Sequence, residues 1–255
     1  MAFTPIHVQV SKAYAEALDQ AARGQRGGCC GGSVTAFAGY DAHTAAYGSV
    51  GGLSFGCGNP LALAGVQPGQ TVLDLGSGAG LDLLLASELV GSGGRVIGVD
   101  MTEAMLDMAR RNIAAAGKTN VEVRQGCIEV LPVADASVDW VISNCVVNLS
   151  PDKPSVFREI VRVLKPGGRI SISDIVAEAL PDCLRIDEAA YCACVGGAIA
   201  EAAYVQGLTD AGLVDVQVAD RLVYDESQLR GLLAREDVAG LVGKVASVRV
   251  VGRRP

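Results

Sequence analysis

The chain has 255 residues, of which 50% are hydrophobic and 19% are charged. This composition is typical of a globular protein with a sizeable core, and it excludes a largely disordered chain. With 21 Lys and Arg against 28 Asp and Glu, the formal net charge is −7, which disfavours binding to a nucleic acid backbone. The sequence starts without a secretion signal and holds no apolar run long enough for a membrane span, so we expect a cytoplasmic protein with neither nucleic acid nor membrane as partner.

Eight cysteines and only two histidines limit the chemistry that the chain can carry. His7 and His43 both lie in the first fifth of the chain, which excludes a histidine-based triad or a two-histidine iron site further along. In a reducing cytoplasm, clustered cysteines indicate catalysis or metal binding rather than structural disulfides.

The N-terminal part is predicted as a helix over residues 7–23, where apolar residues recur every four positions. Eleven glycines then occur among the 35 residues from 24 to 58, too many for a helix or a central strand. The same stretch holds Cys29, Cys30 and Cys57. It is interpreted either as a linker or as a mobile lid that brings thiols over a site.

Strands and helices alternate from residue 71 onward. Continuous apolar runs predict buried strands, and segments with helical spacing lie between them. The predicted strands are 71–78, 95–101, 121–126, 138–146 and 169–176, and the predicted helices are 80–90, 102–117 and 154–164, with a turn at 165–168. Strict alternation predicts a parallel sheet with helices on both faces.

The C-terminal part is less regular. Residues 186–212 are predicted as helical with an interruption at Gly196-Gly197. Two further strand candidates, 213–224 and 244–252, flank a helix predicted over 226–237.

A glycine-rich turn follows the first predicted strand. Asp74 precedes Gly76, Gly78 and Gly80, a pattern that lets the backbone pass close to a ligand at the carboxyl edge of a sheet. Asp100 ends the next strand, twenty residues after Gly80, where a carboxylate can accept both hydroxyls of a ribose. An acid directly before the turn would repel a pyrophosphate, whereas it would favour the amino group of a methionine moiety.

These motifs, with Lys-Pro-Gly-Gly-Arg at 165–169, resemble the class I S-adenosylmethionine-dependent methyltransferases over about residues 68–176. The resemblance implies S-adenosylmethionine as cofactor and a Rossmann-like α/β fold. Its sheet would be seven-stranded and mostly parallel, with helices on both faces and an antiparallel last strand in the closing pair 213–224 and 244–252. The implied cofactor-binding residues are Asp74, Gly76, Gly78, Gly80, Asp100, Met101, Ile128, Glu129 and Asn144.

The implied contacts divide the cofactor into three parts. The glycines would face the methionine part, Asp100 the ribose and Met101 the adenine. Glu129 would lie near the adenine amine, although a solvated loop acid is the alternative interpretation.

Cys145 lies at the predicted carboxyl end of the fourth strand, where this fold places the methyl acceptor. A single cysteine there is most often a small buried hydrophobe. However, Cys192 and Cys194 lie on the segment expected to cover the same edge, and Cys57 precedes the first strand. Converging thiols favour a soft, thiophilic ion.

The motifs around these cysteines are similar to those of the arsenite methyltransferases. They are Phe-Gly-Cys-Gly-Asn-Pro at 55–60, Ser-Asn-Cys at 143–145 with its continuation to 153, and Cys-Val-Gly-Gly-Ala at 194–198. The resemblance covers most of the chain from about residue 25.

By this resemblance, the thiolates of Cys145 and Cys194 hold trivalent arsenic. The third sulfur would come from Cys57, Cys29 or Cys30. Three thiolates leave the arsenic lone pair facing the sulfonium methyl group, and this alignment is the main catalytic contribution; Cys57, Cys145 and Cys194 are thus the predicted catalytic residues. In the family, disulfide formation accompanies turnover, here between Cys57 and Cys29 or Cys30, and thioredoxin or glutathione is the thiol reductant.

The other cysteines match the pattern less well. Cys192 is a second possible arsenic ligand, and Cys127 and Cys183 are expected to be buried or incidental. Asn144, Asn148 and Asp152 could shape the pocket or serve the turn after the fourth strand.

Three regions are predicted. Residues 1–60 form an N-terminal helix and a glycine- and cysteine-rich lid, 61–177 the cofactor-binding core, and 178–255 a substrate-binding cap with the closing strands. The favoured hypothesis is an arsenite methyltransferase acting on trivalent arsenicals. The alternatives are a methyltransferase acting on oxygen, nitrogen or carbon of an organic metabolite, and a non-catalytic protein that binds a soft metal through its thiols.

Overall fold

The computed structural model describes residues 4–22, 65–235 and 237–255. The predicted lid, with Cys29, Cys30 and Cys57, lies outside the described residues.

Seven strands of the described chain form one sheet in the order β3-β2-β1-β4-β5-β7-β6. They are β1 (Thr71–Leu75), β2 (Arg95–Asp100), β3 (Val121–Gln125), β4 (Val138–Asn144), β5 (Leu164–Ala177), β6 (Val214–Val223) and β7 (Val245–Arg253). The first five strands are parallel, and β7 is antiparallel to both β5 and β6. The predicted Rossmann-like α/β sheet with its antiparallel last strand is confirmed.

Helices cover both faces of the sheet. They are α1 (Pro5–Ala22), α2 (Leu81–Val90), α3 (Glu103–Ala115), α4 (Lys153–Val163), α5 (Asp182–Arg185), α6 (Glu188–Cys192), α7 (Glu201–Asp210) and α8 (Glu226–Leu233). Among the described residues, no helix combines the length and the apolar character needed to cross a membrane.

The central strand β1 shows why the sheet is buried on both faces. Val72 packs in the cluster formed by α2 and α3, whereas Leu73 and Leu75 pack in the cluster formed by α4 and α7. Because alternate residues of a strand point to opposite faces, a strand covered on both sides reads as a continuous apolar run. The carboxyl ends of these strands are thereby held at a single edge.

The predicted turn at 165–168 is wrong in detail, because these residues belong to β5. Val138 pairs with Leu164 and Trp140 with Arg169, so the intervening residues of β5 bulge out of the ladder. The backbone of this bulge is not left unpaired, since Gly168 accepts a hydrogen bond from the N–H of Arg254 at 2.8 Å. The chain near the C-terminus thus provides a partner that a local pattern cannot reveal.

The predicted helical stretch 186–212 is divided in the structure. Helix α6 ends at Cys192, a non-helical segment carries Gly196-Gly197, and α7 begins at Glu201. The predicted interruption is confirmed, and the non-helical segment reaches the carboxyl edge of the sheet.

Candidate active site

An open cavity lies at the carboxyl edge of the sheet. The turn after β1, the end of β2, the loops after β3 and β4, and one face of α1 line it. Eight of the nine predicted cofactor-binding residues contribute to its walls, and Asp74 is buried behind the turn.

The glycine turn forms one wall of this cavity. Gly76 has φ +65°, and a Cβ there would overlap the side chain of Val146 in the loop after β4. Gly78 has φ +51°, and a Cβ at this position would have no protein atom within 4 Å. The glycines therefore combine a left-handed backbone with a close approach to the neighbouring loop at Gly76 and open space at Gly78.

Buried carboxylates surround the turn. Asp100 accepts hydrogen bonds from the N–H of Gly78 at 2.9 Å and of Thr102 at 2.8 Å. Burial raises the pKa of Asp100, and the backbone hydrogen bonds oppose this shift. The pKa of Asp74 is well above its usual value because of burial and the repulsion from Asp82 and Asp100. This wall would be stabilised by a positively charged ligand.

The loop after β3 forms the next wall. Glu129 is 8% exposed, so the alternative of a solvated loop acid is wrong. Its Oε1 lies 3.1 Å from Nε2 of His7 and accepts a hydrogen bond from the hydroxyl of Ser150. Ile128 beside it is buried and lines the cavity.

Helix α1 provides a wall that the sequence did not assign to the site. His7, Val10 and Tyr14 of this helix line the cavity. The Tyr14 hydroxyl donates a hydrogen bond to the carbonyl of Cys192 at 3.2 Å, across 178 residues of chain. A contact between residues so far apart leaves no pattern in the local sequence. The helical periodicity indicated only that Tyr14 lies on the apolar face of its helix.

The structure brings Cys145 and Cys194 together. Sγ of Cys194 donates a hydrogen bond to the carbonyl oxygen of Cys145 at 2.8 Å. Both residues are buried, and both have a left-handed backbone, with φ 58° and 62°. A positive φ is uncommon for a residue with a side chain, and residues of this kind cluster at functional sites.

The described cysteines differ in oxidation state. Cys145 takes part in a disulfide, whereas Cys127, Cys183, Cys192 and Cys194 form none. Cys145 must be reduced before its sulfur can act as a ligand.

Cys192, Cys183 and Cys127 have different surroundings. Cys192 is buried and Cys183 is exposed. Cys127 is half-buried and lines the cavity. The sequence analysis expected a buried or incidental residue and did not place it at the cavity. Burial and the nearby charge of Glu129 raise the pKa of the Cys127 thiol.

A buried hydrogen-bond network supports the two converging cysteines from below. Asn148 donates to Asp174 through its backbone N–H at 3.1 Å and through its side-chain amide at 2.8 Å. The hydroxyl of Tyr204 donates to the same carboxylate at 3.2 Å. Burial raises the pKa of Asp174 to about 7. A Cβ at Gly197 would overlap the carbonyl oxygen of Asn148, so this glycine lets the segment after Cys194 lie directly on the turn.

Lys153 completes this support. Its ammonium donates to the carbonyls of Asn148 at 3.3 Å and Ser150 at 3.2 Å, and burial lowers its pKa. Asp152 instead accepts a hydrogen bond from the N–H of Ser155 at 3.1 Å and caps helix α4. Of the three residues considered for the pocket, Asn144 lines it, Asn148 supports it and Asp152 serves the turn.

Comparison with known proteins gives the family. Residues 67–227 match a family model described as a methyltransferase domain. The chain is 49% identical over 207 residues to an arsenite methyltransferase of Halobacterium salinarum, which covers 79% of this chain and 52% of that protein. It is 45% identical over 176 residues to an arsenite methyltransferase of Aquipseudomonas alcaligenes, covering 64% of this chain and 50% of that protein.

A solved structure shows the same similarity. An arsenic (III) S-adenosylmethionine methyltransferase from Chlamydomonas reinhardtii matches with a TM-score of 0.64 and 34% identity, over 78% of this chain and 66% of that chain. The chain spans about half the length of the curated relatives it matches. The resemblance noted in the cysteine motifs is thus confirmed by relatives, and the chain belongs to the methyltransferase-domain family.

Proposed function

We propose that this protein transfers the methyl group of S-adenosylmethionine to trivalent arsenic held by cysteine thiolates. The observation that carries the proposal is the meeting of Cys145 and Cys194, with Sγ of one 2.8 Å from the carbonyl oxygen of the other, beside the cavity that Cys145 lines. The similarity to arsenite methyltransferases supports the choice of acceptor.

The cavity fits S-adenosylmethionine, which carries a cationic sulfonium and a cationic amino group. The buried carboxyl of Asp74 is repelled by Asp82 and by Asp100, and a bound cation would relieve this repulsion. Gly78 leaves room for the methionine part, with Gly76 and Gly80 shaping the same turn.

The other cofactor contacts follow from the walls of the cavity. Asp100 would accept the ribose hydroxyls. Met101 and Ile128 would contact the adenine faces, and Oε2 of Glu129, which has no hydrogen-bond partner among the described residues, would accept from the adenine amine. Asn144, whose amide lies 3.5 Å from Asp82, would order the carboxylates beside the turn.

The thiolates of Cys145 and Cys194 would hold arsenic as two of its three sulfur ligands. Cys57 or a cysteine of the predicted lid, Cys30 or Cys29, would supply the third. The cofactor supplies an electrophilic methyl group on a good leaving sulfur. The arsenic lone pair forms the new As–C bond while the S–C electrons leave with the sulfur, so no general base is needed and orientation by the thiolates provides the catalysis.

The transfer formally raises arsenic from the trivalent to the pentavalent state. Two cysteine thiolates can return the two electrons by forming a disulfide, which thioredoxin or glutathione then reduces by thiol exchange. Cys57 with Cys29 or Cys30 is the proposed pair. The same reductant, in the cytoplasm that the sequence predicts, would open the disulfide at Cys145.

The proposal is tested with the full chain, S-adenosylmethionine, arsenite and a thiol, followed by chromatography with arsenic-specific detection. We expect methylated arsenicals, and we expect Cys145→Ser and Cys194→Ser each to lower the rate by more than about 100-fold, because orientation is lost. Cys183→Ser, at an exposed free thiol, is the matched control and should stay within about twofold of the wild-type rate.

Binding of S-adenosylhomocysteine, measured by calorimetry, separates the alternatives. No arsenic product from a wild-type protein that binds S-adenosylhomocysteine would contradict the proposal. Transfer to an organic acceptor that survives both cysteine substitutions would identify a metabolite methyltransferase. Failure to bind S-adenosylhomocysteine would identify a thiol-based binding protein.

A further inference from the structure

Three metal-ligating side chains meet at one wall of the cavity. They are His7 of helix α1 and Cys127 and Glu129 of the loop after β3. Their ligand atoms all lie within 4.8 Å of one another, and two of the three residues are buried. None of the three residues is a proposed arsenic ligand, although the proposed function also gives Glu129 the adenine amine as a contact.

One carboxylate oxygen of Glu129 is buried and unpaired beside these side chains. Its Oε1 faces His7 and the hydroxyl of Ser150. Its Oε2 is buried and finds no hydrogen-bond partner among the described residues. An unpaired buried carboxylate oxygen is costly, and a bound cation would remove that cost.

We propose that His7 Nε2, Cys127 Sγ and the carboxylate of Glu129 form a binding site for Zn²⁺. The Cys127 thiol loses its proton to solvent on binding. Zinc replaces the Nε2 proton and the ring carries its proton on Nδ1 instead, so the hydrogen bond that Nδ1 accepts from the N–H of Thr4 at 3.2 Å is given up. Nitrogen, thiolate and carboxylate are the ligands that zinc takes in proteins, at about 2.0–2.3 Å, and three protein ligands leave a fourth position open. Tetrahedral bonds of this length place ligand atoms about 3.3–3.6 Å apart. The His7 and Glu129 atoms, 3.1 Å apart, already approach this spacing.

Cys127 can reach a tetrahedral spacing by a small movement. The three ligand atoms lie within 4.8 Å of one another, so its sulfur has to shift by at most about 1.5 Å. Cys127 is half-buried, and a change of its χ1 angle can provide such a shift.

Zinc at this site would have two consequences. It would join helix α1 to the core across the 122 residues that separate His7 from Glu129. It would also occupy the carboxylate oxygen that the proposed function gives to the adenine amine, so zinc and S-adenosylmethionine would compete. The second consequence rests on the proposed function, whereas the first does not.

The site is tested by titrating the reduced full chain with Zn²⁺ against a chromophoric zinc chelator. We expect His7→Gln and Cys127→Ser each to bind one zinc ion fewer per chain than the wild type. Cys183→Ser removes an exposed thiol and should bind the wild-type number. The remaining cysteines are common to all four proteins, so their own affinity for zinc cancels in the comparison.

An unchanged zinc stoichiometry in both His7→Gln and Cys127→Ser would overturn the proposal, as would an equal loss in Cys183→Ser. Far-ultraviolet circular dichroism without zinc checks the fold, and Glu129→Gln replaces any variant that fails this check.

Competition is measured by calorimetric titration with S-adenosylhomocysteine. Saturating zinc should weaken its binding to the wild type by about tenfold or more and leave its binding to His7→Gln within twofold. If saturating zinc leaves the binding of S-adenosylhomocysteine to the wild type unchanged, the proposed competition is wrong. None of these measurements uses arsenite, so failure of the proposed methyl transfer would be seen separately.

Discussion

Two walls of the same cavity are built in opposite ways. The glycine turn and Asp100 come from consecutive strand-turn-helix units, and the N–H of Gly78 meets the carboxylate 22 residues away. The other wall joins segments that are far apart in the sequence. His7 and Glu129 meet across 122 residues, and Cys145 and Cys194 meet across 49 residues. A wall built from adjacent units depends on local backbone conformation, whereas a wall built from distant segments depends on how those segments pack.

The packing of the Cys194 segment gives the largest expected effect. Gly197→Ala would place a Cβ on the carbonyl oxygen of Asn148, a backbone atom that cannot rotate away. We expect the free energy of unfolding to fall by about 4 kcal/mol or more, as in the most severe overpacking substitutions. Urea denaturation of the purified variant measures it.

The matched control is Gly231→Ala in helix α8, where a Cβ meets no atom within 4 Å. Alanine should stabilise that helix by about 0.5–1 kcal/mol. Equal stability of Gly197→Ala and the wild type would show that the segment does not lie on the turn as described.

The raised pKa of Asp174 gives the next largest expected effect, a change with pH in the free energy of unfolding. Burial raises this pKa from 3.8 to about 7 in the folded protein. Between these two values the unfolded chain releases the proton and the folded chain keeps it, so ionisation favours unfolding as the pH rises from 4 to 7. The stability advantage of the wild type over Asp174→Asn should therefore shrink over this range by up to about 4 kcal/mol.

Denaturation of both proteins at several pH values measures this difference. Contributions of the other acids cancel in the comparison, because both proteins carry them. An advantage that grows with pH would mean that Asp174 is ionised in the folded state and that the hydrogen bonds from Asn148 and Tyr204 outweigh burial.

The fold could be predicted from the sequence because the pattern of each strand reflects its own surroundings. The apolar run of β1 follows from burial on both faces, and the interruption at Gly196-Gly197 follows from glycine itself. The bulge at 165–168 could not be predicted, because its hydrogen-bond partner, Arg254, lies at the other end of the domain.

The site divides in the same way. The glycines and Asp100 were predictable because each has a fixed place relative to a strand end. His7, Tyr14 and the position of Cys127 were not predictable, because no spacing relates helix α1 to the loop after β3. Cys145 and Cys194 lie between these cases, since the order of elements predicted that both reach the same edge, and the resemblance to a family singled out this pair.

The local wall can be tested by a smaller substitution. Asp100→Asn keeps the shape of the side chain but turns an NH₂ group toward the N–H of Gly78 or of Thr102, donor against donor. We expect the Kd for S-adenosylhomocysteine to rise by about 10–30-fold, or about 1.4–2 kcal/mol. Asp107→Asn, at an exposed carboxylate paired with Arg110, is the control, and calorimetry measures both.

A change in the Asp107 variant as large as in the Asp100 variant would show a general effect of charge. A loss confined to Asp100 shows that the effect comes from the glycine turn and its ligand, because both substitutions remove one negative charge.

The attachment of helix α1 gives the smallest expected effect and tests the distant wall alone. Tyr14→Phe removes the hydroxyl that donates to the carbonyl of Cys192 at 3.2 Å and keeps the ring in place. The loss of one such hydrogen bond costs about 1 kcal/mol. Amide hydrogen exchange should therefore become about fivefold faster in α1 and stay unchanged in β1, because local opening of the helix does not require the sheet to open. Lys12→Ala on the exposed side of the same helix should leave both rates as they are, whereas faster exchange in β1 would mean that α1 and the sheet unfold as one unit.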